Sequence, residues 1–397
     1  MDKIEQKGLE GNVGKICLMN FLDGLWFPMS VFVIFLLDNG MSLTQAGLIL
    51  GAYSIMPFFL DLPSSILADK HSRKSMLILM SLAYLFQNIF YFFGHSFAIF
   101  FLASCFNGIG TALSMGISSA FVYDTLLSIG KEKNYEKAQS KVMVSLFAGR
   151  LLASAGVFIY LIDPRMVFSL ATVVTFAGLC VAFSLKEPPR QKSASKPLLH
   201  INEGFAFLFK HKIVWHTAIV FSLMAGVCGV LFDYYQPVMK AAGISVAYFG
   251  MVYFVANSFS FAGAFFYPKL SKYAGWKKIM LLYLAIALVA ALSFATQSQF
   301  SIIAAVIISS LSLGLQGVFI SNIINKIAPS THRAIALSIQ TQMQLIFNFI
   351  LLMAVSIISD KISIAAGMIL LSVFVAIAGT VFLKLAYKGR LSSNILI

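Results

Sequence analysis

Twelve hydrophobic runs, most near 20 residues long, fill most of this 397-residue chain. A helix of about 20 apolar residues, rising about 1.5 Å per residue, crosses the roughly 30 Å hydrocarbon core of a bilayer. Backbone polar groups in lipid must pair within their own segment, so runs this long are read as helices. They cover Ile16–Leu37, Leu43–Ala68, Ser75–Phe93, Phe97–Val122, Val142–Ile162 and Met166–Leu185. After a longer break come Ile213–Met239, Ser245–Tyr267, Ile279–Ala295, Phe300–Asn325, Ala334–Ser359 and Ile362–Leu385. The expected fold is an all-α polytopic membrane protein with its partner, the lipid bilayer, as solvent. A content of 59% hydrophobic against 11% charged residues agrees.

The net charge of +14 raises the question of nucleic acid. Its distribution answers otherwise. With an even number of spans both termini share one side, and nearly all Lys and Arg residues fall there. Only Arg165, Lys240 and Lys361 fall on the other side, and Arg150 lies within a span. The positive-inside rule then predicts cytoplasmic termini. The basic excess is a topology signal, and no nucleic-acid partner is expected. The absence of an N-x-S/T sequon is compatible with a bacterial inner membrane.

The break divides the chain into residues 1–185, a linker over 186–212, and residues 213–397. The linker begins polar and proline-bearing, and Leu198–Phe209 is read as a short amphipathic helix on the membrane surface. The two halves align at an offset of 203: Gly40 on Gly243, Ser42 on Ser245, Gly47 on Gly250, Phe58 on Phe261, Leu67 on Leu270 and Lys74 on Lys277. Six spans, a linker and six spans with parallel internal similarity predict two pseudo-symmetric six-helix bundles with a solute site near the midplane.

The loop after the second span, Leu62–Ser75, reads LPSSILADKHSRKS. It resembles the signature loop of the major facilitator superfamily, G-x-L-a-D-r-x-G-r-k. Leu67, Ala68, Asp69, Arg73 and Lys74 match it, and Ser65 and Ser72 stand where the family carries glycine. The segments DLPSSILAD and Phe121–Lys141 are similar to a bacterial branch of drug and metabolite efflux proteins. The resemblance implies the twelve-helix fold, a self-sufficient monomer, and a cavity lined by the first, fourth, seventh and tenth spans. It also makes Asp69, Arg73, Lys74, Asp124 and Arg333 candidates for a cytoplasmic gate. There, carboxylates would meet a helix N-terminus or basic side chains and release them as the gate opens.

Charges within spans are costly and mark function. By counting, Asp23, Asp61 and Arg150 each lie roughly 10–13 Å from the cytoplasmic side. They are read as an acid–base–acid cluster, with one acid as proton carrier and Arg150 tuning it. A static ion pair or a direct solute contact is the alternative. Asp233 lies near the opposite mouth, beside Tyr234, Tyr235 and Gln236. The fourth span carries Ser104, Asn107, Thr111, Ser114 and Ser118 at spacings that place all five on one helical face. The tenth carries Gln316, and the eleventh Gln340, Gln344 and Asn348 at spacing 4. Asn107, Thr111, Ser114, Asp233, Tyr234, Gln236, Gln316, Gln340, Gln344 and Asn348 are therefore the candidate cavity residues.

No metal-ligand, nucleophile–base or phosphate-loop pattern occurs, so neither a cofactor nor catalysis is expected. The four cysteines, in or beside spans, read as free thiols. The functional expectation is proton-coupled export of a small organic molecule by alternating access, with proton-linked uptake or uniport of a nutrient as the alternative. A mildly polar, aromatic cavity poor in positive charge suits neutral or cationic amphipathic solutes rather than phosphate esters.

Overall fold

The computed structural model describes residues 8–189, 212–296, 298–327 and 333–387, and among them every regular element is helical. Eleven of the helical segments are long and apolar enough to cross a membrane, and a bent pair makes up to twelve. The bent pair is the first span. Helix α1 (Asn12–Gly24) is followed by a 3₁₀ turn over Phe27–Ser30 and then by α2 (Phe32–Asp38). The axis turns by 43°. Pro28 sits in the first turn of the 3₁₀ segment, where its missing N–H costs least.

The remaining elements follow the hydropathy closely. They are α3 (Leu43–Lys70), α4 (Arg73–Phe93), α5 (Phe97–Ser114), α6 (Ile117–Ser128), α7 (Tyr135–Ala153), α8 (Gly156–Ile162) and α9 (Met166–Ser184). Then come α10 (Lys212–Ala241), α11 (Phe249–Tyr273), α12 (Trp276–Ala295), α13 (Gln299–Ile327), α14 (Arg333–Lys361) and α15 (Ile364–Tyr387). The fourth apolar run is divided between α5 and α6 because Gly116 takes φ +74°, a left-handed conformation that ends one helix and opens the next. The fifth span starts earlier than its apolar run, since the polar stretch from Tyr135 continues α7 toward the N-terminus. The linker helix expected over Leu198–Phe209 lies outside the described residues.

The chain forms two compact units. One comprises Met1–Phe35, Ile55–Ser195 and Phe249–Phe254; the other comprises Leu36–Ser54, Lys196–Tyr248 and Val255–Ile397. In the first unit α1 packs on α7 and α9, and α4 on α5 and α9. In the second, α10 packs on α14 and α15, and α12 on α13 and α15. Each pairing of the first set has its counterpart in the second, six spans later.

The repeat is visible in single hydrogen bonds. Gly40 and Gly243 both take positive φ, +81° and +76°. Gly40 N donates to Leu37 O at 3.0 Å and Met41 N to Leu36 O at 3.1 Å. Gly243 N donates to Lys240 O at 3.0 Å and Ile244 N to Met239 O at 3.0 Å. Both are Schellman closures, in which a residue without Cβ takes the left-handed position.

The core of the first unit has two parts. Ile16, Met19, Met76, Met80, Phe121 and Val142 are among the buried side chains of one cluster. Phe32, Phe35, Tyr91, Phe100 and Phe168 form an aromatic group with centroid separations from 4.5 to 6.4 Å. Large apolar side chains such as Phe158, Phe176 and Phe265 stand exposed. Such surfaces would be sticky in water but match a hydrocarbon solvent.

Candidate functional site

The polar stripe expected on the fourth span runs along α5. Thr111 Oγ1 lies 3.4 Å from Asn107 Oδ1, one turn back, and the Ser114 hydroxyl donates to Thr111 O at 2.8 Å. A residue from α4 joins it. The Tyr84 hydroxyl lies 3.5 Å from Thr111 Oγ1. Gly110 makes this possible, because a Cβ at that position would lie 2.5 to 3.0 Å from atoms of the Tyr84 ring. Asp23 of α1 lies close enough to the Tyr84 hydroxyl to act on it electrostatically. One turn earlier, Asn20 Nδ2 donates to Ile16 O at 2.9 Å and lies 3.5 Å from Ser118 Oγ.

Tyr84, Asn107, Thr111 and Ser114 thus form one polar patch within the first unit, with Asp23 acting on Tyr84 from α1, and each is partly buried. Tyr84 was not a sequence candidate. A single tyrosine in an apolar run carries no signal of its own. The available signal was Gly110, set within the stripe and bare enough to admit a ring.

Asp23 reaches the patch through a close helix crossing. A Cβ on Gly24 would meet Leu146 O at 2.2 Å, and one on Gly149 would meet Phe21 O at 2.2 Å. The backbones of α1 and α7 therefore touch at this level, as small residues allow in membrane helices. The expected pairing of Asp23 with Arg150 does not form. Gly149 occupies the crossing, and the next residue on a helix is turned about 100° away from it. Arg150 is exposed, with its guanidinium carbon 5.8 Å from the centroid of Phe147. Among the described residues Asp23 has no ion-pair partner. Asp61 lies on α3, and its side chain lies outside the described residues.

The signature loop is held within the first unit. Arg73 Nη1 lies 2.7 Å from Asp124 Oδ2. Ser72, in place of a family glycine, has extended backbone at φ −73° and serves as N-cap of α4, accepting from Ser75 N at 3.0 Å. Glu187 completes the cap: its carboxylate accepts from Arg73 N at 2.9 Å and Lys74 N at 2.8 Å. Two otherwise orphaned N–H groups at the positive end of the helix face a negative charge. Glu187→Ala is expected to lower stability by about 1–2 kcal/mol, the scale of a lost helix cap, and Glu187→Gln by less. Thermal unfolding in detergent measures both. The side chains of Asp69 and Arg333 lie outside the described residues.

The C-terminal candidates lie on α10, α13 and α14 of the second unit. Gln316 Oε1 accepts from Tyr283 Oη at 2.7 Å, and the same hydroxyl lies 3.3 Å from Met224 O. Asn348 uses its amide in packing. Its Oδ1 accepts from Ser54 at 2.9 Å, and its Nδ2 lies 3.4 Å from Gly226 O, against the bare backbone of Gly229. Gln340 is buried, with no hydrogen-bond partner for Nε2 among the described residues, and Gln344 is partly buried. Asp233 is partly buried, while Tyr234 and Gln236 are buried, the latter 3.3 Å from the Tyr235 hydroxyl. Among the described residues no group of His, Cys, Asp and Glu is arranged to hold a metal ion.

The profile of the Major Facilitator Superfamily matches residues 16–346. No curated protein matches the chain. Solved structures do. A variant of the nucleoside transporter NupG superposes with a TM-score of 0.81 at 14% identity, over 95% of this chain and 99% of that one. A D-xylose–proton symporter gives 0.72 at 15% identity, over 96% and 98%. The POT family transporter PepTSo gives 0.74 at 13% identity, over 98% and 99%. At these identities the likeness establishes the shared fold. The family profile covers most of the chain, and the chain belongs to the major facilitator superfamily, as a multi-pass membrane transporter of small solutes.

Proposed function

We propose that this transporter couples export of a small organic solute to proton entry across a bacterial inner membrane, as a monomer with both termini cytoplasmic. The observation that carries the coupling is Asp23: a partly buried carboxylate within a span, near enough to the Tyr84 hydroxyl to act on it electrostatically, with no ion-pair partner among the described residues. An unpaired charge at that depth is costly, and binding a proton removes it. A carboxylate that exchanges a proton for solute as the two bundles rock would link the two fluxes. Asp61 is the second candidate carrier. Asp69, Arg73, Lys74, Asp124 and Arg333 are the proposed cytoplasmic gate. The solute is neutral or cationic and amphipathic, since the patch offers hydroxyls, an amide and a carboxylate but no cation.

Energised inverted vesicles test this. A panel of candidate solutes is added singly while a dye reports the pH gradient. A solute that collapses the gradient in wild type but not with Asp23→Asn supports the reading. Silence across the panel, with radiolabelled uptake of one solute into whole cells, favours proton-linked import. Structural likeness to a D-xylose–proton symporter keeps that second reading in view.

A further inference from the structure

Helix α7 presents three faces. Val142, Gly149 and Ala153 are buried, on the side where α7 crosses α1. Val144, Ala148 and Leu152 recur every fourth residue, are exposed and apolar, and match lipid. Met143, Phe147, Arg150 and Ser154, spaced by four, three and four, make the third face. On it Met143 and Arg150 are exposed, and Phe147 and Ser154 are partly buried.

Arg150 stands far from both ends of its span. It lies eight residues after Val142 and twelve before Ile162, about 12 and 18 Å along the helix. A guanidinium keeps its charge at any physiological pH, so at that depth it needs water or an anion. Among the described residues Arg150 has no ion-pair partner, and the Phe147 ring lies beside it, 5.8 Å from the guanidinium carbon. The nearest carboxylate at this level is not its partner either. A Cβ on Gly24 would lie 3.2 Å from Arg150 N, so the backbone next to Asp23 is at hand, yet the two side chains do not pair. Further along the third face the chain closes over it. A Cβ on Gly250 of α11 would lie 2.4 Å from Ser154 O and 2.5 Å from Val157 Cγ1. The face is therefore covered at Ser154 and open at Arg150, where an exposed cation is flanked by a thioether and a ring.

We infer that Arg150 is a solute-binding residue that takes a carboxylate on its guanidinium, with Met143 and Phe147 against the neighbouring apolar body, so that the solute is an amphipathic zwitterion. The inference rests on the reading above, in which the α5 patch and Asp23 meet a neutral or cationic solute, and it narrows that reading. A zwitterion is neutral overall, keeps a cationic group for that side, and adds the anion for Arg150, which stands outside the patch. A planar guanidinium matches a carboxylate through two parallel hydrogen bonds. One such cation balances one negative charge, and a doubly charged phosphate ester would be left unmatched.

The test is equilibrium binding. Purified protein in detergent is titrated with leucine, phenylalanine and methionine, each beside its carboxamide, which keeps the ammonium and the apolar body but has no carboxylate. The thermal midpoint reports binding. At least one of the three amino acids is expected to raise the midpoint, and its amide is not. Arg150→Gln is expected to weaken that binding about thirtyfold, the scale of a lost hydrogen bond to a charged group. Arg150→Lys, which keeps the charge but not the fork, is expected to weaken it about fivefold. No shift with any of the three amino acids overturns the inference, as does an equal shift with the amide. Wild-type binding by Arg150→Gln also overturns it. The midpoint without ligand separates lost binding from misfolding, and if Arg150→Gln is destabilised, wild-type binding by Arg150→Lys overturns the inference in its place. No gradient is applied, so failure here leaves proton coupling through Asp23 standing, and failure of the vesicle experiment leaves this binding intact.

Discussion

Asp23→Asn is expected to abolish transport driven by a pH gradient while leaving exchange of solute for solute within a few-fold of wild type. Asparagine preserves the size of the side chain but cannot gain or lose a proton. The Tyr84, Thr111 and Ser114 hydroxyls keep their positions, since Gly110 and not Asp23 sets where the ring lies. The binding surface therefore survives and the coupling does not. The expected loss is about a hundredfold or more, the scale that follows removal of a proton-transferring side chain. Asp23→Glu, which titrates but reaches further, is expected to retain part of the driven flux. The measurement is flux in proteoliposomes with an imposed gradient, beside counterflow with no gradient. If Asp23→Asn keeps driven transport and Asp61→Asn loses it, Asp61 is the carrier. If both keep it in full, neither carboxylate couples the flux.

The helices were legible in the sequence because hydropathy is a one-dimensional property. Each of the twelve runs is recovered as a helix or a pair of helices. What hydropathy does not carry is a break between two equally apolar segments. The bend after α1 and the division at Gly116 depend on backbone φ and on Pro28, not on polarity. The repeat was legible at Gly40 and Gly243 because a left-handed closure constrains the residue type strongly. The α5 stripe was legible from spacing alone, since helical period fixes which residues share a face. Tyr84 was not, because its role depends on which helix packs against Gly110. For the same reason depth counting put Asp23 and Arg150 at one level but could not say which way each points. The angle between neighbouring residues at the Gly149 crossing decides that, and Arg150 faces Phe147 instead. Glu187 was missed because a cap supplied from more than a hundred residues away leaves no local motif.

Gly149→Leu is expected to prevent assembly of the first unit. A Cβ at this position would lie 2.2 Å from Phe21 O, 2.9 Å from Leu25 N and 3.0 Å from Gly24 C. All three are backbone atoms, so no side chain can rotate to relieve the contact; α1 and α7 must separate. Separation also lifts Asp23 from the α5 patch, because Gly24 is part of the same crossing. Even Gly149→Ala is expected to cost about 3 kcal/mol, the upper end of overpacking in a dense interior. That corresponds to a thermal midpoint lower by roughly 5 °C. Gly14→Ala is the matched control: it replaces a glycine in the same helix pair, and a Cβ there meets nothing within 4 Å. Fluorescence-detected size exclusion of tagged variants reads the outcome, with Gly149→Leu absent from the monodisperse peak and Gly14→Ala present at the wild-type level. A monodisperse, transport-competent Gly149→Leu protein would mean that α1 and α7 do not touch here. The position of Asp23 would then have to come from the packing of α1 on α6 and α9, where Asn12 meets Thr125 and Asn20 meets Ser118.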